Sequence, residues 1–369
     1  MKHLMNWPFL LILTLAMGCK KNDVPVPGGK DNAMPSISIL EFGAIGNGVA
    51  DETMAFENAQ HYAYKNKVAI YIPSGKYKTN ITVLYDSLQF IGQKQPEIGN
   101  DSLHNGVIVL GTINAKNKKY IKFSNIGIQT NNDAIVTGDG LGSLPLFQTY
   151  SNISIFGDGF FGYHHGILCQ SGSEIKISNI KVKRFFHGIA IRTSNVTIEN
   201  VIADHCGFTS IVVKSAAGGN EMVQNININN VTIKGDSLNV FERGGTILVQ
   251  SYDDNCVTKK INIKNVTSNH GGVGLINIEQ VKGRTDSIEI SNCYGYKVGD
   301  NPIRSTFDVV GGASNVNFTN CTSSYSNGIG YRTNSDASNI RVIKCFENNS
   351  AISAFQGKFA FLELNNVKY

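Results

Sequence analysis

The chain has 369 residues and a small positive balance, with 33 Lys and Arg against 28 Asp and Glu and a formal net charge of +5. Its basic residues are scattered and no nucleic-acid reader motif is present, which argues against nucleic acid as a partner. A modest surplus of this kind fits an anionic partner of another class. With 41% hydrophobic residues and only 8 Pro, the chain has enough material for a large core in one domain.

The first residues have the pattern of an export signal. Lys2 and His3 are basic, residues 8–16 are mostly apolar, and Gly18 precedes Cys19. The apolar run is short for a transmembrane helix, so residues 1–18 are predicted to be a signal peptide. Its end resembles a bacterial lipoprotein processing box, which implies lipid on Cys19, a membrane anchor and a location in the cell envelope, at the outer membrane, facing either the periplasm or the outside. A plain secretory signal with an incidental cysteine is the alternative. Residues 19–35 then form a flexible tether, and residues 36–369 the folded domain.

Two motifs near the start of that domain carry a family resemblance. Residues 41–53 read EFGAIGNGVADET, and residues 69–77 read AIYIPSGKY. Together they resemble the opening of the pectate-lyase-like superfamily, which includes rhamnogalacturonase and epimerase-type β-helices. The resemblance implies a right-handed parallel β-helix with a capping helix. We predict this helix over residues 53–64, with Asp51 as its N-cap and Glu52 in its first turn; a catalytic role for the two carboxylates is the alternative.

An asparagine then returns once per repeat. The spacings between successive copies are 27, 27, 21, 30, 35, 27 and 28 residues. Repeats of this length indicate a solenoid, a propeller or an array, and propeller blades need about 40–45 residues. We therefore predict an all-β fold, a single-stranded parallel β-helix in which the asparagines form an inward amide ladder at one turn. That this β-helix is right-handed is what the resemblance implies. The ladder residues are Asn125, Asn152, Asn179, Asn200, Asn230, Asn265, Asn292 and Asn320.

Six cysteines follow Cys19: Cys169, Cys206, Cys256, Cys293, Cys321 and Cys345. An exported protein permits disulfides between them. However, Cys293, Cys321 and Cys345 occupy the Val/Ile position of the repeat, where a thiol behaves as a small core hydrophobe. We predict a stacked ladder of free thiols for these three.

The strand that follows a glycine in many coils supplies the candidate chemistry. Side chains alternate between the faces of a strand, so Ile189 and Ile191 point inward and Arg192 points outward. The same register in successive coils predicts one outward row of polar side chains. Its members are Gln170, Arg192, Lys214, Gln250, Glu279, Asp308 and Arg332.

The leading functional prediction is a polysaccharide lyase. Arg192 and Lys214 lie side by side in the predicted row, and two neighbouring cations suit a uronate carboxylate between them. Lys214 or His187 then removes the adjacent C–H proton, and the glycosidic oxygen leaves by β-elimination. Predicted substrate contacts come from the remaining polar members of the row and from nearby aromatic and imidazole groups. These are Gln170, Gln250, Arg332, His165 and Tyr331.

Three alternatives remain open. A glycoside hydrolase needs two carboxylates about 5–9.5 Å apart, and Glu279 and Asp308 on successive coils are candidates. An epimerase begins with the same proton abstraction as a lyase. A lipid-anchored polysaccharide-binding protein needs no catalytic base. No metal site is predicted, and calcium is left open as a cofactor, because no Asp/Glu cluster falls on consecutive coils.

Overall fold

The computed structural model describes residues 34–140, 145–157, 159, 162–216, 221–235, 246–269, 274–298, 305–326 and 328–364. The predicted signal peptide and Cys19 lie outside these ranges, so lipidation and envelope localisation stay predictions. No helix in the described part is long and apolar enough to span a membrane.

The described chain contains a 3₁₀ turn at Ile39–Phe42, one α-helix, α1, at Thr53–Asn66, and 31 strands. The strands of the first third are β1 (Ser36–Ser38), β2 (Asn47–Asp51), β3 (Ala69–Ile72), β4 (Gly75–Lys78), β5 (Ile81–Thr82), β6 (Gln89–Gly92), β7 (Glu97–Ile98), β8 (Leu103–His104), β9 (Val107–Leu110), β10 (Ile113–Asn114) and β11 (Lys122–Thr130). Those of the middle third are β12 (Ile135–Thr137), β13 (Pro145–Gly157), β14 (His165–Cys169), β15 (Ser173–Lys183), β16 (His187–Ile191), β17 (Val196–Asp204), β18 (Thr209–Ser215), β19 (Met222–Lys234), β20 (Thr246–Ser251) and β21 (Val257–Asn269). The last are β22 (Ile276–Gln280), β23 (Arg284–Ser291), β24 (Tyr294–Tyr296), β25 (Ser305–Val310), β26 (Ser314–Thr319), β27 (Thr322–Ser324), β28 (Ile329–Thr333), β29 (Ser338–Asn348), β30 (Ser353–Gln356) and β31 (Phe361–Leu364).

These strands form a right-handed parallel β-helix, as predicted. Sheet I has 11 parallel strands in the order β30-β28-β25-β22-β20-β18-β16-β14-β12-β10-β5, and sheet II has 18. The inward side chains are largely Ile and Val, such as Ile177, Ile180 and Ile189, each at most 1% exposed. Stacking successive coils therefore buries one continuous apolar core, which no single coil buries alone.

The recurring asparagines mark a bend within sheet II. All eight have φ between 53° and 58°, the left-handed region that Asn tolerates best after Gly. Their side-chain amides do form a ladder: Asn179 donates to Asn152 and Asn200 donates to Asn179, both at 2.9 Å. The ladder has one break, where Asn265 donates to Asn229 instead of Asn230. The predicted inward direction is wrong, because Asn200, Asn230 and Asn265 are exposed. The ladder lies outside because the bend turns each side chain away from the core.

The first open end of the solenoid is covered by α1, as predicted. Phe56, Ala59 and Ala63 of this helix are buried. The predicted N-cap is off by one residue. Glu52 holds the N-cap position, and its buried carboxylate accepts the N–H groups of Ile45 and Gly46 at 2.9–3.1 Å. Asp51 accepts from the Thr53 N–H instead. Both carboxylates thus stabilise the chain just before α1 by accepting backbone N–H groups.

All six described cysteines are free and buried. The thiol ladder is confirmed, since the Cys321 N–H points at Cys345 Sγ at 3.4 Å. Burial raises the pKa of Cys169 to about 12, so this thiol stays protonated and inert.

Candidate active site

A row of polar side chains crosses the outer face of sheet I. Ile191 pairs with Val213, so Arg192 and Lys214 follow on neighbouring strands about 4.8 Å apart. Lys214 pairs in turn with Gln250, and Gln250 with Glu279. The structure therefore brings five predicted residues into one row: Gln170, Arg192, Lys214, Gln250 and Glu279.

The row departs from the prediction at its next member. Glu279 pairs with Val310, and Asp308 lies opposite Asn277 instead, two residues earlier on the strand. Arg332 pairs with Asp308 and binds its carboxylate, with Arg332 Nε donating to Asp308 Oδ1 at 2.9 Å. The predicted row of seven is therefore two rows, because the register shifts between β22 and β25.

Tyr331 does not belong to the substrate face. It is 1% exposed and stacks between Phe307 and Phe355, with ring centroids at 4.8 and 5.1 Å. Its hydroxyl donates to the Cys321 carbonyl at 2.8 Å. Since Arg332 points outward, alternation along the strand sends Tyr331 into the core.

An apolar floor lies beside the cations. The outward side chains of Leu168, Ala190, Val212 and Leu248 form a small separate cluster on sheet I, and Val136 and Phe208 pack against it. Each of the four is at most 6% exposed. These four side chains therefore offer little surface to a ligand, whereas the half-buried Val136 and Phe208 at the border of the cluster can contact the apolar C–H face of a sugar ring.

Two stacked histidines form the other edge of this floor. His165 and His187 are paired on β14 and β16, and their ring centroids lie 5.2 Å apart. His187 Nδ1 lies 2.5 Å from Thr209 Oγ1. Phe186 and Phe208 meet the His187 ring edge to face, at 4.7 and 5.3 Å. His165 and His187 thus lie on the same sheet as Arg192 and Lys214, near the opposite end of the same strands.

His165 is oriented by a carboxylate that the sequence analysis missed. Asp133 Oδ1 accepts both the His165 N–H and its ring Nδ1, each at 2.8 Å. A carboxylate on Nδ1 fixes the tautomer and leaves Nε2 with a lone pair. That Nε2 is buried and has no hydrogen-bond partner in the described part of the chain. The His165 hydrogen bonds also help to keep the pKa of Asp133 below its usual value, against the opposing effect of burial.

The electrostatics keep His187 neutral. Burial lowers the pKa of His187 to about 2, and the positive charges of Arg192 and Lys214 act in the same direction. Burial likewise lowers the pKa of Arg192, which Asp133 partly offsets. Lys214 Nζ lies 3.7 Å from the centroid of the Tyr252 ring. The positive charges of Arg192 and Lys214 therefore act electrostatically on the His187 imidazole.

The carboxylates predicted for hydrolysis are engaged elsewhere. Glu279 accepts a hydrogen bond from the Gln250 amide, and Asp308 is held by Arg332. Glu279 is 9% exposed and Asp308 5%. The described ranges contain no group of three or more His, Cys, Asp or Glu side chains placed to hold a metal ion.

The missed residues had a weak signal in the sequence. Asp133 comes two residues before β12, which pairs with β14 one coil later. Extending the repeat of sheet I back by one coil from residue 166 would have placed Asp133 beside His165. Thr209 begins β18 and Phe208 precedes it. The alternation of inward and outward residues along a strand does not predict that either contacts an imidazole.

Comparison with known proteins identifies the family of the chain. Residues 36–267 match the family described as rhamnogalacturonase A/epimerase, pectate lyase-like. A mannuronan C5-epimerase of Azotobacter vinelandii, AlgE3, is 24% identical over 253 residues, which cover 65% of this chain and 12% of that protein. The chain therefore spans only a small part of this curated relative.

Two solved structures share the fold. The A-module of the Azotobacter vinelandii mannuronan C5-epimerase AlgE4 superposes with a TM-score of 0.59 at 11% identity, covering 90% of this chain and all of that one. A family 28 exopolygalacturonase of Yersinia enterocolitica gives 0.56 at 11% identity, covering 90% and 79%. At such identity the likeness concerns the fold alone. Because the family match spans more than half of its length, the chain belongs to the rhamnogalacturonase A/epimerase, pectate lyase-like family.

Proposed function

We propose that this protein acts on a uronate-containing polysaccharide by removing the proton from the carbon next to the uronate carboxylate. The proposal rests on one observation: two cations lie on one side of an apolar cluster and an imidazole lies on the other. Arg192 and Lys214 form the cationic edge, and the neutral His187 lies at the other. A sugar lying on the floor places its carboxylate on the cations and its ring C–H groups toward the imidazoles.

The cations have two roles in this step. Arg192 offers a fork of N–H donors to the carboxylate and Lys214 a compact charge. Neutralising the carboxylate acidifies the adjacent C–H and stabilises the negative charge that develops when the proton leaves. Burial is the main cause of the low pKa of His187, and the same neutralisation removes the smaller contribution of the two cations. Substrate binding therefore makes His187 a stronger base at the moment when a base is needed.

His187 is the proton acceptor in this account. It is only partly buried, whereas His165 is buried. Thr209 fixes one ring nitrogen and leaves the other for the substrate. Asp133 and His165 act behind it: the carboxylate holds His165, and His165 stacks on His187. They keep the His187 ring oriented and, through Asp133, supply negative charge close to the imidazolium that forms.

Two outcomes follow from the carbanion. Loss of the glycosidic oxygen gives an unsaturated uronate, which is the lyase reaction, and return of a proton to the opposite face gives the epimer. Relatives that are named mannuronan C5-epimerases favour the second outcome. Both outcomes depend on the same residues of this chain up to the carbanion.

The test is a panel of alginate, polygalacturonate and glycosaminoglycan polymers, incubated with the protein with and without calcium. New ultraviolet absorbance from unsaturated uronate identifies elimination, and a changed epimer ratio in the proton NMR spectrum identifies epimerisation. The rate at which either signal appears should fall at least about tenfold in Arg192→Ala and about 100-fold or more in His187→Gln. New reducing ends without either signal would overturn the proposal in favour of hydrolysis. Binding without any reaction would overturn it in favour of a non-catalytic binding protein.

A further inference from the structure

A cavity of about 380 Å³ lies away from the candidate active site, on the outer side of sheet II. Its floor comes from the runs that follow the ladder asparagines in β15, β17 and β19. Its wall comes from β7, which forms an antiparallel hairpin with β8. The lining residues are Glu97, Ile98, Lys181, Val182, Ile202, Asp204 and Lys234.

The hairpin is fastened over these runs by several contacts. Lys183 Nζ donates to the Gly99 carbonyl at 3.3 Å, and Ser154 Oγ donates to the Pro96 carbonyl at 2.6 Å. Arg184 forms a salt bridge with Asp101 at 3.4 Å. Because both the wall and the floor belong to ordered strands, the cavity is a built feature of the fold.

The charges around the cavity are unbalanced. Each carboxylate in its lining already has a basic partner: Glu97 pairs with Lys94 at 3.4 Å, and Asp204 pairs with Lys183 at 3.7 Å and with His205. Lys181 and Lys234, in contrast, form no salt bridge with any carboxylate in the described part of the chain. Asp204 lies on the strand between them and in register with Lys234, but Lys183 and His205 already offset its charge. The two ammonium groups therefore leave the cavity with a surplus of positive charge.

Aromatic side chains continue the same strip along the solenoid. Asp204, Lys234, Asn269 and Tyr296 are paired in register on successive strands, so Tyr296 lies two strands, about 9.6 Å, beyond Lys234. Tyr294, Tyr325 and Phe346 are 37%, 45% and 39% exposed nearby. Large, rigid aromatic side chains are well suited to contact the apolar faces of sugar rings.

We propose that this strip is a second, non-catalytic binding site for an anionic polysaccharide. A uronate carboxylate binds to the ammonium groups of Lys181 and Lys234 at the mouth of the cavity, and the following sugars lie on Tyr294, Tyr296 and Phe346. The strip runs along the solenoid axis, as sheet I does, and so holds an extended polymer parallel to the active site. The choice of a uronate polymer rests on the proposed function, whereas the charge and shape of the cavity do not.

Lysine footprinting tests both sites in one experiment. The protein is acetylated with an amine-reactive ester in the presence of polygalacturonate or alginate oligomers, and each lysine is followed by mass spectrometry. We expect at least threefold slower acetylation of Lys181 and Lys234, and also of Lys214, while the exposed Lys264 reacts at an unchanged rate. A neutral glucan should protect none of them.

The outcomes separate the two claims. Protection of Lys214 alone would overturn the second site and leave the active site in place. Protection of Lys181 and Lys234 alone would support the second site and contradict the proposed function. No protection at any concentration of either polymer would overturn the second site.

A variant pair supplies a second readout. Lys181→Ala combined with Lys234→Ala should weaken the binding of long polymer at least tenfold in affinity electrophoresis. The same variant should turn over a tetrasaccharide at a rate within twofold of the parent. Lys259→Ala combined with Lys264→Ala, which removes the same charge from another part of sheet II, is the matched control. Equal losses in both double variants would mean that net charge alone attracts the polymer, and would overturn the site.

Discussion

His165 and His187 stack at 5.2 Å on neighbouring strands, and a different group holds each ring. Asp133 accepts from His165, and Thr209 meets His187. The pair thus combines one imidazole that is fixed in a known tautomer with one that burial and nearby cations keep neutral. This arrangement separates the orienting group from the proton-accepting group.

Removing the cations should weaken turnover without disturbing the fold. Arg192→Ala or Lys214→Ala deletes charge-assisted contacts worth ~1.5–3 kcal/mol, so we expect kcat/KM to fall about 10- to 150-fold. Steady-state kinetics on the reactive polymer measure the effect. Lys264→Ala, on an exposed part of sheet II, should change kcat/KM by less than twofold. An unchanged value in Arg192→Ala would contradict its role at the carboxylate.

Replacing the proposed base should act mainly on kcat. His187→Gln keeps a polar side chain of similar size but removes the proton acceptor, and positioned acid–base groups contribute about 10²–10⁴-fold. Polymer binding, measured by calorimetry, should stay within about threefold of the parent. His61→Gln, in α1, serves as the matched control. A His187→Gln protein with parental kcat would remove His187 from the mechanism.

Asp133 should act through electrostatics and positioning. Its charge raises the pKa of His187, so Asp133→Asn should lower that pKa and weaken the base. We expect kcat on the plateau to fall at least about tenfold, equivalent to ~1.4 kcal/mol, and the acidic limb of the kcat–pH profile to move to lower pH. A fall in kcat with an unmoved limb would show that Asp133 has only a structural role.

The buried His187 should also make the fold sensitive to acid. Its folded pKa of about 2 lies below the ordinary value of 6.5, so below pH 6.5 the unfolded chain binds a proton that the folded chain rejects. The free energy of unfolding should then fall by about 1.4 kcal/mol per pH unit from pH 6.5 toward pH 2 because of this group. At pH 5 this amounts to about 2 kcal/mol. Urea unfolding of the parent and of His187→Gln at pH 7.5 and 5 measures the difference, and identical pH dependences would contradict it.

The amide ladder makes a separate prediction about stability. Asn200 accepts from Asn230 at 2.7 Å and donates to Asn179 at 2.9 Å, with φ at 56°. Asn200→Ala loses both hydrogen bonds and places an alanine in the left-handed region, so we expect a loss of about 2–3 kcal/mol. Asn200→Gly loses the hydrogen bonds but tolerates the backbone, and should cost about 1 kcal/mol less. Thermal unfolding that does not distinguish the two variants would contradict the backbone contribution.

Much of the fold could be predicted because the coils repeat. Period-two alternation and the recurring Asn fix the strands, the bends and the inward thiols of Cys293, Cys321 and Cys345 one coil at a time. Local patterns do not show which way a side chain points at a bend. The prediction that the asparagine ladder lies inside the solenoid is wrong for this reason. The capping helix could be predicted from its motif. Which of Asp51 and Glu52 is the N-cap could not, because it depends on the folded turn whose N–H groups Glu52 accepts.

The candidate site was predictable only in part, for a related reason. Strand register predicts that Arg192, Lys214, Gln250 and Glu279 lie in one row, because each directly follows a buried Ile or Val. Register fails where a loop of different length intervenes, as before β25, which displaced Asp308 and Arg332. Asp133 contacts His165 across 32 residues, and no local period links them.

The central claim is removal of the proton next to the uronate carboxylate. The most direct measurement is NMR of the reactive polymer after incubation with the protein in heavy water. The account predicts that deuterium appears at the carbon bearing the carboxylate in an epimerised product, or that this carbon loses its hydrogen in an unsaturated product, and that neither occurs with His187→Gln. Chain cleavage in which that hydrogen is fully retained would contradict the account and assign the protein to the hydrolases.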